Sequence, residues 1–248
     1  PDTMFTYDEK AAALFTCDAF GSHFSAPEIL MSKIDYDMVS QARYYYDCIM
    51  SPFAPFVQKA VAAVKSLKID LILPSHGPVL DKDPMKVVEL YQQWAGERAH
   101  GTEKRAFIGY VSCYGYTKAL ADALGESLKK RGFVVVSEDI SLIDPADFAE
   151  RVYRSDAVAI GSPTVVADAL PPVWNALAHV LVPLVRGKAA AAFGSYGWSG
   201  EAVASVEQRL TALGFKVVGT MRTKFRPDAA ALAEAAALGD ALADSVKR

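Results

Sequence analysis

The feature that most constrains the fold is a regular alternation from Arg105 onward, in which short apolar runs are followed by amphipathic stretches. The apolar runs are RAFIGYV, FVVVSEDI, AVAIGS, KAAAAFGS and FKVVGTM, and the amphipathic stretches include TKALADALGESLKKRG, PPVWNALAHVLVPLV, GEAVASVEQRLTALG and the alanine-rich segment 228–246. Continuously apolar runs are typical of parallel strands buried on both faces, so the pattern predicts five strands, about five helices and a doubly wound α/β domain. Gly132 and Gly214 follow two of the amphipathic stretches, where helices commonly end on a left-handed residue.

The first hundred residues follow a different pattern. MFTYD and AAALFTC predict a hairpin, residues 39–67 predict a helix that Pro52 and Pro55 interrupt, and IDLILPSHGP predicts a buried strand that ends in a polar loop. The amphipathic MKVVELYQQWAGERA predicts a helix that bridges two parts of the chain, with a boundary at His100–Lys104. We therefore expect two domains, residues 1–100 and residues 104–248. The first has few predicted strands and helices for an independent domain, so we expect another polypeptide segment to cover it.

Composition argues against several classes of protein. The 26 Lys and Arg residues are scattered and balanced by 29 Asp and Glu, for a net charge of −3, so nucleic-acid binding is not expected. Cys17, Cys48 and Cys113 form no CxxC pair, which argues against a disulfide framework and favours the reducing cytoplasm. The sequence has no run of about 18 apolar residues, so no membrane span is predicted. Because Pro1 rather than Met begins the sequence, we expect a cut or processed chain.

Three loops follow predicted strands of the α/β domain and carry the strongest functional signal. They are Ser112–Thr117, Gly161–Val165 and Gly194–Gly200. The first is a hydroxyl-rich turn before a helix, which suits a phosphate because backbone N–H groups and a helix N-terminus converge there. The third combines small residues with aromatic ones, which suits a planar aromatic ligand. Any one such loop is equally consistent with an ordinary helix start, but three at the same edge of a sheet predict a cofactor site.

The spacing of these loops at the ends of strands one, three and four resembles flavodoxin. That resemblance implies a sheet of order 2-1-3-4-5 and FMN as the cofactor, with its phosphate in the first loop and its ring held by the other two. No GxGxxG or GxxxxGK[ST] motif points to another nucleotide. The residues expected to bind FMN are Ser112, Cys113, Tyr114, Gly115, Tyr116, Thr117, Pro163, Thr164, Val165, Ser195, Tyr196, Gly197, Trp198, Ser199 and Gly200.

Two residues of the first hundred are candidate metal ligands. Asp18 and His76 each follow an apolar strand and enter a loop that contains glycine. Carboxylate and imidazole suit iron, zinc or manganese. Taken alone, an Asp after a strand is more often a turn residue, and a His before Gly-Pro is more often a loop residue. His23 could approach the same place, although an exposed loop position is the more common reading of such a histidine.

A wider resemblance bears on that choice. The segments PDTMFTY, LFTCDAFG, ARYYYDCIMSPF, LILPSHGPVL and YQQWA, followed by GSPTV, LPPVWNAL and FGSYGWSGEAV, together resemble the flavodiiron proteins. In that family a metallo-β-lactamase-like αββα domain with two irons precedes a flavodoxin domain. The resemblance implies that Asp18 is the bridging carboxylate and His76 the last histidine ligand. The family's other ligands would lie upstream of Pro1, so a complementary N-terminal polypeptide is expected to supply them.

The same resemblance implies a function. It predicts an oxidoreductase in which electrons from rubredoxin or a flavin reductase pass through FMN to a diiron site, where dioxygen is reduced to water or nitric oxide to nitrous oxide. It also implies a head-to-tail homodimer. Family members tend to carry paired asparagines where this chain has Val166 and Ala167, so contacts to the flavin are expected there from the backbone rather than from side chains. The alternatives are a non-enzymatic FMN electron carrier and, less favoured because it leaves residues 1–100 without a role, a quinone reductase.

Overall fold

The computed structural model describes residues 4–35, 37–97 and 103–246. The chain divides into two compact units, residues 1–100 and residues 101–248. Most of the predicted boundary at His100–Lys104, including His100 itself, lies outside the described residues. The hydrophobic core of the first unit is separate from the two core clusters of the second.

The first unit contains a three-stranded sheet of order β1-β2-β3. Strands β1 (Thr6–Asp8) and β2 (Ala13–Phe15) pair antiparallel, as the predicted hairpin requires, and β3 (Leu71–Leu73) pairs parallel with β2. The helices are α1 (Met38–Tyr45), α2 (Ala54–Val64) and α3 (Met85–Glu97). Tyr46, Tyr91 and Trp94 pack at the centre of its core, with ring centroids 4.9–5.7 Å apart.

The helix predicted over 39–67 is divided at its prolines. Residues 46–50 form a π turn and residues 51–53 a 3₁₀ turn, and regular α-helix resumes at Ala54. Proline cannot donate a backbone hydrogen bond inside a helix but is tolerated in a first turn. Pro55 lies in the first turn of α2, so it begins a second helix rather than continuing the first.

The second unit is built on a five-stranded parallel sheet. Its strands are β4 (Lys104–Tyr110), β5 (Phe133–Asp139), β6 (Ala157–Gly161), β9 (Ala189–Tyr196) and β10 (Lys216–Lys224), and a two-stranded hairpin, β7 (Thr164–Val165) with β8 (Asp168–Ala169), follows β6. The order across the sheet is β10-β9-β6-β4-β5. Counted along the chain this is 2-1-3-4-5, so the predicted fold class is confirmed.

Helices cover both faces of this sheet. They are α4 (Tyr116–Lys130), α5 (Pro145–Tyr153), α6 (Pro171–Ala178), α7 (Val182–Val185), α8 (Ala202–Ala212) and α9 (Ala229–Ser245). The buried residues of α5, α6 and α8 share one core and those of α4 and α9 share the other. The described helices include none that is both long enough and apolar enough to cross a membrane.

The burial of the strands differs from the prediction at the edges of the sheet. The central strand β6 is buried at every position, whereas β5 and β10 expose several residues each. An edge strand has a neighbour on one side only, and helices cover it less completely, so its outer positions remain accessible. Gly132 and Gly214 have positive φ values of 81° and 87°, as expected for residues that end helices.

Candidate cofactor cleft

The three loops singled out from the sequence lie side by side at one edge of the sheet. They follow β4, β6 and β9, which are neighbours in the order β9-β6-β4. All strands of this sheet run parallel, so their carboxyl ends meet at the same edge. This is where ligands bind in open α/β sheets.

The first loop presents the N-terminus of α4. Gly115, with φ of 78°, is its N-cap residue, and the helix begins at Tyr116, one residue before the predicted start at Thr117. Glycine has no side chain that could accept a hydrogen bond from the first N–H groups of the helix. The nearby Ser112 Oγ accepts a hydrogen bond from the backbone N–H of Lys118 at 3.3 Å. The loop therefore offers hydroxyl and N–H groups to an anion at the positive end of a 15-residue helix.

A buried hydroxyl pair links the first loop to the third. Thr117 Oγ1 lies 2.9 Å from Ser195 Oγ, and the two residues are 1% and 6% exposed. Both were predicted to bind the cofactor. In the structure the Thr117 hydroxyl contacts Ser195, which connects the two loops.

The second loop forms the β7–β8 hairpin, which was not predicted from the sequence. Ser162 is buried, where its Oγ accepts a hydrogen bond from Leu170 N at 3.0 Å and holds the base of the hairpin. Thr164 Oγ1 accepts a hydrogen bond from Ala202 N at 3.2 Å, at the start of α8. The hairpin is thus connected to the helix that follows the third loop.

The third loop approaches the second closely and carries an exposed tryptophan. A Cβ built on Gly194 would lie 2.1 Å from the carbonyl oxygen of Ser162, so glycine is required there. Trp198 is 95% exposed. Ser199 Oγ donates to the carboxylate of Glu201 at 2.9 Å, and this hydrogen bond is the main cause that lowers the pKa of Glu201.

The loops enclose a cleft of about 770 Å³. The predicted residues that line it are Cys113, Tyr114, Tyr116, Pro163, Thr164, Val165, Ser195, Tyr196, Gly197, Trp198 and Ser199. The other predicted residues, Ser112, Gly115, Thr117 and Gly200, are not among its lining residues. Val166 and Ala167, where backbone contacts alone were expected, also line the cleft, as does Phe225, which was not predicted. Phe225 directly follows β10, and its signal in the sequence is only an aromatic residue just after the last predicted strand.

The cleft fits FMN in size and in chemistry. Its volume is within the range of about 300–1,000 Å³ that is usual for cofactor sites. Five aromatic residues line it: Tyr114, Tyr116, Tyr196, Trp198 and Phe225. Aromatic faces suit a planar ring, and the start of α4 suits a phosphate.

In the first unit, Asp18 and His76 lie together. His76 Nε2 is 3.5 Å from Asp18 Oδ1, and both side chains are about half exposed. Tyr45 is nearby, where burial first and the charge of Asp18 second raise its pKa to about 12. His23 is exposed and packs 4.8 Å from the Tyr45 ring, centroid to centroid. Within the described residues, no group of three or more His, Cys, Asp or Glu is placed to hold a metal ion. Among the described residues, Asp18 and His76 alone would therefore supply only part of a site for two irons.

Comparison with known proteins agrees with this geometry. The flavodoxin family matches residues 108–239. The chain is 38% identical to the type A flavoprotein fprA of Rhodobacter capsulatus, over 98% of this chain and 57% of that protein. It is 33% identical to the anaerobic nitric oxide reductase flavorubredoxin of Aeromonas hydrophila subsp. hydrophila, over 98% of this chain and 50% of that protein.

Two solved structures are also similar to nearly the whole of this chain. Rubredoxin oxygen:oxidoreductase from Desulfovibrio gigas is similar over 99% of this chain and 62% of its own, with a TM-score of 0.64 and 27% identity. The flavodiiron protein from Giardia intestinalis is similar over 99% and 61%, with a TM-score of 0.62 and 29% identity. The chain thus spans 50–62% of the length of these four proteins.

Proposed function

This chain belongs to the flavodoxin family and has type A flavoproteins and flavodiiron proteins as relatives, and from that premise we propose that residues 104–248 bind FMN as part of an oxidoreductase. The observation that carries the proposal is the cleft itself. A helix N-terminus and five aromatic residues border one space of about 770 Å³. This combination matches a cofactor that is anionic at one end and planar at the other.

The residues of the cleft have separate tasks in this proposal. Ser112 and the N–H groups at the start of α4 would hold the phosphate. Tyr196 and Trp198 would contact the ring and exclude water from it, while the close approach of Gly194 to Ser162 sets the spacing of the two loops that would hold the ring. When bound, FMN supplies the capacity to exchange electrons singly or in pairs.

We further propose that residues 1–100 are the C-terminal part of a metallo-β-lactamase-like diiron domain. Asp18 and His76 are the two ligands that this chain offers, and their 3.5 Å separation is compatible with that role. Two side chains cannot hold two metal ions, so the remaining ligands would come from a complementary polypeptide outside this sequence.

The proposed reaction of that assembly is reduction of dioxygen to water, of nitric oxide to nitrous oxide, or of both. Its support is the names of two similar proteins, one an oxygen oxidoreductase and the other a nitric oxide reductase. The proposal includes a head-to-tail homodimer, rubredoxin or a flavin reductase as the electron donor, and the cytoplasm as its compartment.

The test is a titration of the purified 248-residue chain with FMN, in which quenching of flavin fluorescence reports binding. The iron content of the purified chain is measured as well. We expect one FMN per chain and far fewer than two irons. Failure to bind FMN would contradict the assignment of the cleft. Two tightly held irons per chain would contradict the need for outside ligands.

A second candidate function is that of a non-enzymatic FMN electron carrier. Within the described residues, the scarcity of metal ligands favours it. Consumption of dioxygen and nitric oxide by the assembly that contains the complementary polypeptide distinguishes the two candidates. An assembly that holds iron and reduces either gas excludes the carrier, whereas one that is reduced without consuming gas supports it.

A further inference from the structure

The C-terminal end of β10 contacts the third loop of the cleft at several points. β10 pairs with β9 up to the register Lys224↔Tyr196, which is beyond the sheet core and level with the start of the loop. None of the residues at this end was singled out from the sequence. The pairing brings Arg222 and Phe225 to the loop from the side opposite β6.

Arg222 contacts the loop in two ways. Its Nη1 donates to the carbonyl oxygens of Gly200, at 3.0 Å, and Ser199, at 3.5 Å. Its guanidinium carbon lies 5.7 Å from the centre of the Tyr196 ring. A planar guanidinium with several donors suits both contacts at once better than the compact ammonium of lysine does.

The loop residues that Arg222 touches are themselves closely packed. Gly200 has φ of 81°, and a Cβ placed on it would lie 3.0 Å from the Tyr196 ring. The turn therefore brings its own backbone onto Tyr196. Arg222 binds both the tyrosine ring and the carbonyl of this turn.

Phe225 completes the contact. Its backbone N–H donates to Tyr196 O at 2.7 Å, and its ring would meet a Cβ on Gly197 at 3.3 Å. It also lines the cleft and is 59% exposed. The end of β10 is thus in contact with the loop at Tyr196, Gly197, Ser199 and Gly200.

We propose that Arg222 is a positioning residue that holds residues 196–200 in the conformation that receives the flavin ring. This inference rests on the proposed function. A glycine-containing loop that is ordered before binding does not pay its ordering entropy when the ligand arrives, so the contact raises affinity. Because Arg222 is exposed, its loss should affect ligand affinity more than the folding of the unit.

The experiment compares Arg222→Met, Arg222→Lys and the matched control Arg226→Met in the full chain. Arg226 is also exposed, and its replacement by Met likewise removes one positive charge, in the segment just after β10. Each protein is titrated with FMN and with riboflavin, which lacks the phosphate. We expect Arg222→Met to weaken both ligands about tenfold and by the same factor, Arg222→Lys to recover part of the loss, and Arg226→Met to leave both affinities unchanged.

A contrast variant locates the effect within the cleft. Ser112→Ala in the phosphate loop should weaken FMN and leave riboflavin unaffected. The same pattern in Arg222→Met would overturn the inference, as would equal affinities of Arg222→Met and the unmodified chain. Urea unfolding of ligand-free Arg222→Met provides a further check. A loss of unfolding free energy as large as the loss of binding free energy would show a general role in folding and would also overturn the inference. Failure of the unmodified chain to bind FMN counts only against the proposed function.

Discussion

Val166 and Ala167 form the two-residue turn between β7 and β8, and both have positive φ, 53° and 59°. Two such values in a two-residue hairpin correspond to a type I′ turn, which favours Asn-Gly. A β-branched residue is disfavoured in this region by about 1–2 kcal/mol. Val166 is also 94% exposed and borders the cleft. The strain therefore lies at the edge of the cleft, where no packing of the side chain offsets it.

Replacing Val166 by Asn should stabilise the second unit by about 1 kcal/mol, because Asn tolerates the left-handed region. Urea unfolding monitored by circular dichroism would measure the change. Val134→Asn is the matched control, since Val134 is 46% exposed in the edge strand β5. There the same substitution should give no gain. An equal gain at both positions would show that strain at residue 166 is not the cause.

The residues of the cleft were only partly predictable. Tyr196 and Trp198 stand in a glycine-rich loop after an apolar run, so the sequence points to them directly. Phe225 lies among charged residues, and its place at the cleft depends on the pairing of β10 with β9 as far as Tyr196. That pairing is a long-range contact that no local pattern reveals.

At the scale of elements, the central strands and the glycine helix ends were predictable because each depends on local composition. The segment PPVWNALAHVLVPLV was expected to form one helix but forms α6 and α7. Pro183 lacks the N–H that a continuous helix would direct to the carbonyl of His179. Instead the Tyr153 hydroxyl donates to that carbonyl at 3.1 Å and accepts from Leu181 N at 2.8 Å. Tyr153 is 26 residues away from His179, so the sequence does not reveal this contact.

The C-terminus of α5 depends on a lysine from a distant part of the chain. Lys188 Nζ donates to the carbonyl oxygens of Val152, Tyr153 and Ser155 at 2.5–2.9 Å. We expect Lys188→Met to lower the free energy of unfolding by about 2 kcal/mol, because charged hydrogen bonds to helix-end carbonyls are lost.

The control for that substitution is Lys216→Met at the start of the neighbouring strand β10, where the residue is exposed. It should change the urea midpoint little. A similar loss in both variants would mean that lysine charge in general, rather than the contact with α5, stabilises the unit.

At the scale of the whole molecule, the chain has two units with separate cores. A ligand stabilises the cooperative unit that binds it, by about 2.7 kcal/mol at a concentration 100 times its Kd. Peptides that cover β4, β6 and β9 should therefore exchange their amide hydrogens about 100-fold more slowly with FMN, whereas those that cover α2 and α3 should not change. Mass spectrometry of hydrogen exchange measures both sets. Equal slowing throughout would show that the two units open as one.

The order in which the cleft residues occur along the chain limits when the site can exist. The turn that we propose to hold the phosphate, residues 112–117, precedes Arg222, which we propose to support the ring, by about a hundred positions. A ribosome delivers the former long before the latter. A growing polypeptide therefore contains the proposed phosphate-binding turn before the residues that we propose to support the ring. We expect FMN, which is yellow, to bind tightly only after the last strand is complete. Nonsense mutations that stop translation between residues 200 and 222 should accordingly yield colourless protein.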